Sequence, residues 1–247
     1  MFGDVNFGMN RAEDLNFTDK KGWEKMIKAI FVDFYGTIVF EDGENVSKIS
    51  DMIYKSGNAQ SVSQIGSYWW ESFKNLFENS YGENFRTQRE LETKSLIDTI
   101  NHFGSSEDGI KLSNEMFEYW VKPPIFEESK QFFATCPVPI YVVSNIDRDD
   151  VLQAIDYHSL EPTGVFTSED AKSYKPRKEL FEFALKSTGL SANEVVHIGD
   201  SLNSDVKGAS SVGINAIWVN RSNREVPMGV TAVKNLLEVY DTEYFKQ

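Results

Sequence analysis

The stretch Ala29-Ile30-Phe31-Val32-Asp33-Phe34-Tyr35-Gly36-Thr37-Ile38-Val39 decides how this chain folds. An unbroken apolar run leads into a carboxylate and then into a Gly-Thr turn. Such a run is what a strand needs when helices cover both faces of its sheet. A carboxylate at its tip is costly to bury unless something satisfies or uses it. Much later, Val195-Val196-His197-Ile198 ends in Gly199-Asp200-Ser201, the same sequence of apolar strand, turn and aspartate. Two such tips side by side would form an acidic pocket at the C-terminal edge of a parallel sheet, where open α/β folds place their ligands.

Outward from the first strand, expected over residues 28–34, the periodicity changes. Ile49, Met52 and Ile53 recur at helical spacing, as do Ile65, Trp69, Phe73, Leu76 and Phe77. Leu91, Ile97, Ile100 and Phe103 suggest a third helix, and Ile110, Met116, Phe117 and Trp120 a fourth. Residues 44–121 therefore read as an all-helical insertion, closed by Pro123-Pro124. Beyond it the chain alternates. Strands are expected over 140–144, 164–167, 195–198 and 214–219. Helices are expected over 148–158, 176–187, 203–211 (capped by Asn203) and 233–240. This pattern gives an α/β fold with a mostly parallel sheet. The core comprises residues 26–43 and 122–247. Residues 1–25 are expected to be an irregular N-terminal extension, ending in a short helix near Trp23.

Composition narrows the function. The 247 residues are 40% hydrophobic, enough for a true core, and carry a net charge of −13. That balance argues against nucleic acid or an anionic membrane as partner. A small molecule is the expected partner. The single cysteine, Cys136, cannot form an internal disulfide or a thiolate metal site. No long apolar stretch opens the chain, so a cytoplasmic setting is expected.

Four signals fall at predicted strand ends or helix starts: Asp33, Ser144-Asn145, Lys175-Pro176 and Asp200 followed by Asp205. Together they offer a nucleophile or metal ligand, a hydroxyl and amide for anion oxygens, and an ammonium. In this order and spacing the set resembles the haloacid dehalogenase-like hydrolases, mostly phosphatases, and within them the subgroup with a helical cap. The resemblance covers residues 28–240. It implies a three-layer Rossmann-like core with Asp33 as nucleophile, forming an aspartyl-phosphate. It also implies Mg²⁺ bound by Asp33, the Tyr35 backbone carbonyl and Asp200, with Asp205 as ligand or close support. Thr37, Ser144 and Asn145 would hold the phosphoryl group, and Lys175 would offset the crowded charge.

Tyr35 departs from that pattern. Family phosphatases usually place a second aspartate there, which protonates the leaving oxygen and then activates water. A tyrosine of ordinary pKa near 10 is a poor base at neutral pH. Asp-x-Tyr-Gly-Thr instead resembles the L-2-haloacid dehalogenases, which need no metal and whose aspartate forms an ester with carbon. Against that, residues 38–60 contain no arginine to bind a haloacid, and Asp200 and Asp205 form a phosphatase-like fourth motif. The preferred expectation is a Mg²⁺-dependent phosphatase for a small phosphorylated metabolite, slow or selective for good leaving groups. The alternatives are a dehalogenase, or a phosphoryl-ligand binding or regulatory protein with little turnover. Glu41, Asp42 and Glu44 are nearby acids, more simply read as a solvated turn. Trp69, Phe73 and Phe77 read as insertion core, whereas Tyr68 and Trp70 flank that stripe and could face a cleft. His197 reads as a packed core histidine.

Overall fold

Strand β1 (Ala29–Val32) lies in the middle of the sheet. The computed structural model describes residues 27–41 and 44–246; the expected N-terminal extension and the short helix expected near Trp23 lie outside the described residues. After β1 come α1 (Asn45–Ser56), α2 (Val62–Asn79), α3 (Gln88–His102) and α4 (Gly109–Val121). Then α5 (Ser129–Thr135) precedes β2 (Ile140–Ser144), α6 (Arg148–His158) and β3 (Gly164–Thr167). The rest is α7 (Ser168–Ala171), α8 (Lys178–Thr188), β4 (Val195–Gly199), a π-turn over Leu202–Lys207, α9 (Gly208–Ser210), β5 (Asn215–Val219), β6 (Thr231–Val233) and a 3₁₀ turn over Leu236–Asp241.

The strands pair in the order β3-β2-β1-β4-β5-β6, every pair parallel. Val32 is in register with Val142 on one side and Ile198 on the other. Three strand ends are thereby brought together at one edge: Asp33, Ser144 and Asp200. Alternation along β1 supplies both faces of the sheet. Ile30 and Val32 pack with Val142, Val196 and Ile198 on one face, while Phe31 packs with Val143, Val195, Leu180 and Phe181 on the other. All are buried; each such side chain contributes roughly 1.5–3 kcal/mol.

The first of those cores continues into α1–α4 through Phe34, Tyr35 and Ile38. Polar contacts fix the insertion to the sheet. Asp147, at the start of α6, turns its carboxylate to the N-terminus of α3, accepting from the Gln88 and Arg89 backbone N–H groups at 2.7 and 2.9 Å. Arg89 grips Asp150 with two hydrogen bonds of 2.8 and 2.5 Å. The Tyr174 hydroxyl donates to the Arg86 carbonyl at 2.6 Å.

Three expected elements differ. The helix expected from residue 176 starts at Lys178, because the Arg177 N–H first closes a turn on the Tyr174 carbonyl. The helix expected over 203–211 is a π-turn capped by Ser201 rather than Asn203. The Val206 N–H bonds back to the Ser201 carbonyl, and the Ser201 side chain takes the Ser204 N–H. The helix expected over 233–240 is instead an edge strand, β6, followed by the 3₁₀ turn.

Candidate active site

Asp33 is buried, held by its N–H donating to the Ile198 carbonyl at 2.9 Å. Its carboxylate is read by two donors. Lys175 Nζ donates to Oδ1 at 2.6 Å and Thr37 Oγ1 to Oδ2 at 3.1 Å. The turn after it is tight: the Ile38 and Val39 N–H groups both bond to the Phe34 carbonyl, and Gly36 takes φ +90°. Glycine is required there. A Cβ on Gly36 would lie 2.7 Å from Asp200 Oδ1 in a backbone conformation that L side chains avoid. Gly199 plays the same part opposite, since a Cβ there would meet Asp205 Cγ at 2.2 Å.

Asp33, Asp200 and Asp205 each offer an oxygen, and these atoms lie within 4.8 Å of one another. Asp205 is fully engaged. Its Oδ1 accepts from Lys175 Nζ at 2.7 Å and faces His197 Nε2 at 2.9 Å, and its Oδ2 accepts from the Ser201 N–H at 3.0 Å. Asp200 accepts only a long bond from Thr37, at 3.3 Å, among the described side-chain contacts of its carboxylate.

One ammonium thus faces three carboxylates, and the electrostatics record the excess. Burial pushes Asp33 up from 3.8 to about 7 against the pull of Lys175, with Asp205 and Asp200 adding to the rise. Burial, with Asp205 beside it, raises Asp200 to about 6. Burial also disfavours charge on Asp205, but Lys175 and His197 reverse the balance and hold it below the usual carboxylate range. Lys175 is almost wholly buried, which would lower its pKa, yet Asp205 and Asp33 drive it above the ordinary lysine value. Burial keeps His197 below its ordinary value despite Asp205. Hard oxygen donors, close together and short of positive charge, fit a divalent cation of the Mg²⁺ type.

The other expected site residues are placed as follows. Ser144 is buried at the floor, its Oγ accepting from the Ile146 N–H at 3.2 Å. Asn145 holds Lys175 in place. Its Oδ1 accepts from the Lys175 N–H at 2.7 Å and its Nδ2 donates to the Lys175 carbonyl at 3.1 Å. Tyr35 sends its hydroxyl to the Trp120 carbonyl at the end of α4, at 2.7 Å. Burial, then Asp150, raises the phenol further above 10. That hydroxyl is an anchor for the insertion.

Sequence reasoning missed two arginines just past β5. Arg221 donates to the Thr37 carbonyl at 2.8 Å and pairs with Glu128 at 2.6 Å. Arg224 donates to the Asp200 carbonyl at 3.2 Å, which also takes the Trp218 indole Nε1–H at 2.7 Å. Their position at the C-terminal edge of the sheet was the available signal. His197, packed against Phe181 as expected of a core histidine, also touches Asp205.

Above this floor lies a cleft of about 1010 Å³. The insertion walls it with Trp69, Trp70, Phe73, Phe77 and Trp120. Of the two flanking aromatics, Trp70 faces the cleft, while Tyr68 stacks on His102 inside the insertion. Glu41 also lines the cleft; Asp42 lies outside the described residues, and Glu44 precedes α1.

A family model described as haloacid dehalogenase-like hydrolase matches residues 27–213, from β1 past Asp200 and Asp205. The chain belongs to this family of hydrolases. HAD-hydrolase YfnB of Bacillus subtilis (strain 168) is 39% identical over 198 residues, 74% of each chain. Pyrimidine 5'-nucleotidase YjjG of Escherichia coli (strain K12) is 30% identical over 77 residues, 31% of this chain and 34% of that one. The chain spans only between 34% and 56% of the length of the first curated relatives it matches. The magnesium-bound structure of YfnB superposes over 88% of this chain and 98% of its own, with TM-score 0.69 and 19% identity across the superposed residues. L-2-haloacid dehalogenase from Xanthobacter autotrophicus superposes over 87% and 97%, with TM-score 0.67 and 18% identity. Likeness at that identity shows the haloacid dehalogenase-like fold; the family assignment rests on the sequence matches. No helix among the described residues is long and apolar enough to cross a membrane.

Proposed function

We propose that this chain is a Mg²⁺-dependent phosphatase for a small phosphorylated metabolite, working through an aspartyl-phosphate on Asp33. The observation that carries the reading is the crowding at the floor, where oxygens of Asp33, Asp200 and Asp205 lie within 4.8 Å of one another and Lys175 bonds to Asp33 and Asp205. A dehalogenase attacking carbon has no use for that arrangement; a cation and a phosphoryl group do. Asp33, Asp200 and the Tyr35 carbonyl would hold Mg²⁺, which supplies charge neutralisation for an anionic substrate. Asp205, with both oxygens engaged, supports Lys175 and the turn.

The side chains then divide the work. Asp33 attacks phosphorus with one carboxylate oxygen as the bond to the leaving oxygen breaks. Lys175 steadies its other oxygen and carries positive charge throughout. Thr37 and Ser144 offer hydroxyls to the phosphoryl oxygens, while Asn145 keeps Lys175 in place. With the Tyr35 hydroxyl committed to Trp120, position 35 supplies no acid to the leaving oxygen. The leaving group must then depart as a stable anion, which favours acyl phosphates, phosphoanhydrides and aryl phosphates. Water attack on the intermediate is unassisted from that position, and turnover is slow. Residues 44–121 are read as a cap over a core of 26–43 and 122–247.

Tyr35 favours one other reading, a metal-independent 2-haloacid dehalogenase, whose halide needs no proton. Phosphate release from acetyl phosphate and p-nitrophenyl phosphate, with Mg²⁺ and with EDTA, separates the two when run beside chloride release from a 2-chloroacid. Metal-dependent phosphate release that Asp33→Asn abolishes is the expected result. Chloride release indifferent to EDTA would replace the phosphatase reading. Ligand binding without any turnover would mean a phosphoryl-binding protein.

A further inference from the structure

The wall of the cleft carries information that the floor does not. Trp70 on α2 is 63% exposed although it lines a concave site, with only Phe73 stacked on it, at a centroid distance of 6.0 Å. One helical turn before it, Gly66 lines the same cleft, and a Cβ added there would meet nothing within 4 Å. A glycine in a helix interior weakens the helix relative to alanine. Neither packing nor a positive φ asks for it, because α2 is regular at this point. An open gap beside an exposed indole is a place for a flat ring to lie. One turn beyond Trp70, Lys74 lines the cleft, and Arg177 and Arg224 line its core side. Glu41, Glu78 and Glu92 line the cleft as well, and Lys74 lies 4.0 Å from Glu78, so the shelf carries both signs of charge and is continuous with the acidic floor.

We infer that the substrate is a phosphate compound bearing a flat aromatic or heteroaromatic ring, which stacks on Trp70 in the space left by Gly66. This rests on the phosphatase reading of the floor. Together with the missing acid at Tyr35, it narrows the class to ring-bearing phosphates with a stable leaving oxygen. That oxygen belongs either to the ring, as in an aryl phosphate, or to a second phosphoryl group, as in a nucleoside diphosphate.

Binding is measured as competitive inhibition of acetyl phosphate hydrolysis, which is independent of the inhibitor's own leaving group, and in parallel as quenching of tryptophan fluorescence. The probes are 1-naphthyl phosphate, a nucleoside 5'-diphosphate and ringless glycerol 3-phosphate. At least one ring-bearing compound should bind about tenfold or more tightly than glycerol 3-phosphate, and the tighter one identifies the source of the ring. Trp70→Leu should remove most of that advantage. Gly66→Leu should weaken the ring-bearing compound about fivefold or more without lowering the thermal midpoint, since leucine favours the helix. Equal affinity of all three probes, or a ring preference untouched by both substitutions, would overturn the inference while metal-dependent acetyl phosphate hydrolysis kept the phosphatase reading intact. Were acetyl phosphate not hydrolysed, the phosphatase reading would fall and the fluorescence titration would still decide the ring.

Discussion

The tips of β1 and β4 share a construction but carry different charge. At each, an apolar strand ends beside a glycine whose missing side chain makes room for a carboxylate: Gly36 faces Asp200, and Gly199 faces Asp205. The β4 tip presents two carboxylates, one braced by Lys175, His197 and the Ser201 N–H, the other with a single long bond from a described side chain, Thr37. The β1 tip presents one carboxylate and, two residues on, a phenol fastened to α4. On the proposed function the β4 tip would set the charge that a cation answers. The β1 tip would supply the nucleophile, and it fixes the insertion above it. A dehalogenase-like first motif and a phosphatase-like fourth are compatible because they serve these separate ends.

The largest effect should come from removing the cation the two tips share. Lys175→Met leaves Asp33 and Asp205 buried without their partner, and loss of one member of such a pair costs about 3–5 kcal/mol. Urea unfolding in EDTA should show a loss of that size, partly restored by millimolar Mg²⁺; a loss below about 1 kcal/mol would mean that the tips do not lean on Lys175. Next comes Gly36→Ala, which forces a Cβ into Asp200 at a positive φ. It should lower stability by about 1–3 kcal/mol and weaken metal binding together.

A continuous effect should appear with pH. Asp33 and Asp200 keep protons in the folded chain up to about 7 and about 6, whereas an unfolded carboxylate releases its proton near 3.8. The folded state binds more protons across that interval, so their contribution to metal-free stability is lost as pH rises from about 4 to about 7. Asp147, raised by burial to about 6, acts in the same direction. Asp205, held low, acts oppositely and only below 3.8. Urea midpoints in EDTA should fall across this window, less steeply in Asp200→Asn; an identical slope in that variant would remove Asp200 from the account. The smallest effect belongs to Tyr35→Phe, a loss of about 0.5–1.5 kcal/mol with the Trp120 hydrogen bond. Tyr35→Asp should instead speed hydrolysis of poor leaving groups relative to acetyl phosphate, and no gain would place water activation elsewhere.

Much of this was legible because it depends on local pattern. The apolar runs of β1 and β4, the carboxylates at their ends and the helical period of α2 are properties of short segments. What escaped depends on distant partners. The amide of Asn145 reads the backbone of Lys175, thirty residues on, and the direction of the Tyr35 phenol depends on where α4 ends. The π-turn at Ser201 follows from Asp205 bonding back to the Ser201 N–H, whereas the sequence there reads as an ordinary helix. Strand β6 has three residues, Thr231-Ala232-Val233, too few for alternation to register. Periodicity placed Trp69 inside the insertion, but which flanking aromatic would face the cleft, Trp70 or Tyr68, was left to the tertiary packing.

Calorimetric titration with Mg²⁺ at about pH 6.5 tests the central claim most directly, since carboxylates that hold protons must release them when a metal binds. The account predicts one ion per chain, with a heat that changes with the ionisation enthalpy of the buffer, and no binding in Asp200→Asn. Absence of binding to the wild-type protein, or equal binding to Asp200→Asn, would contradict it.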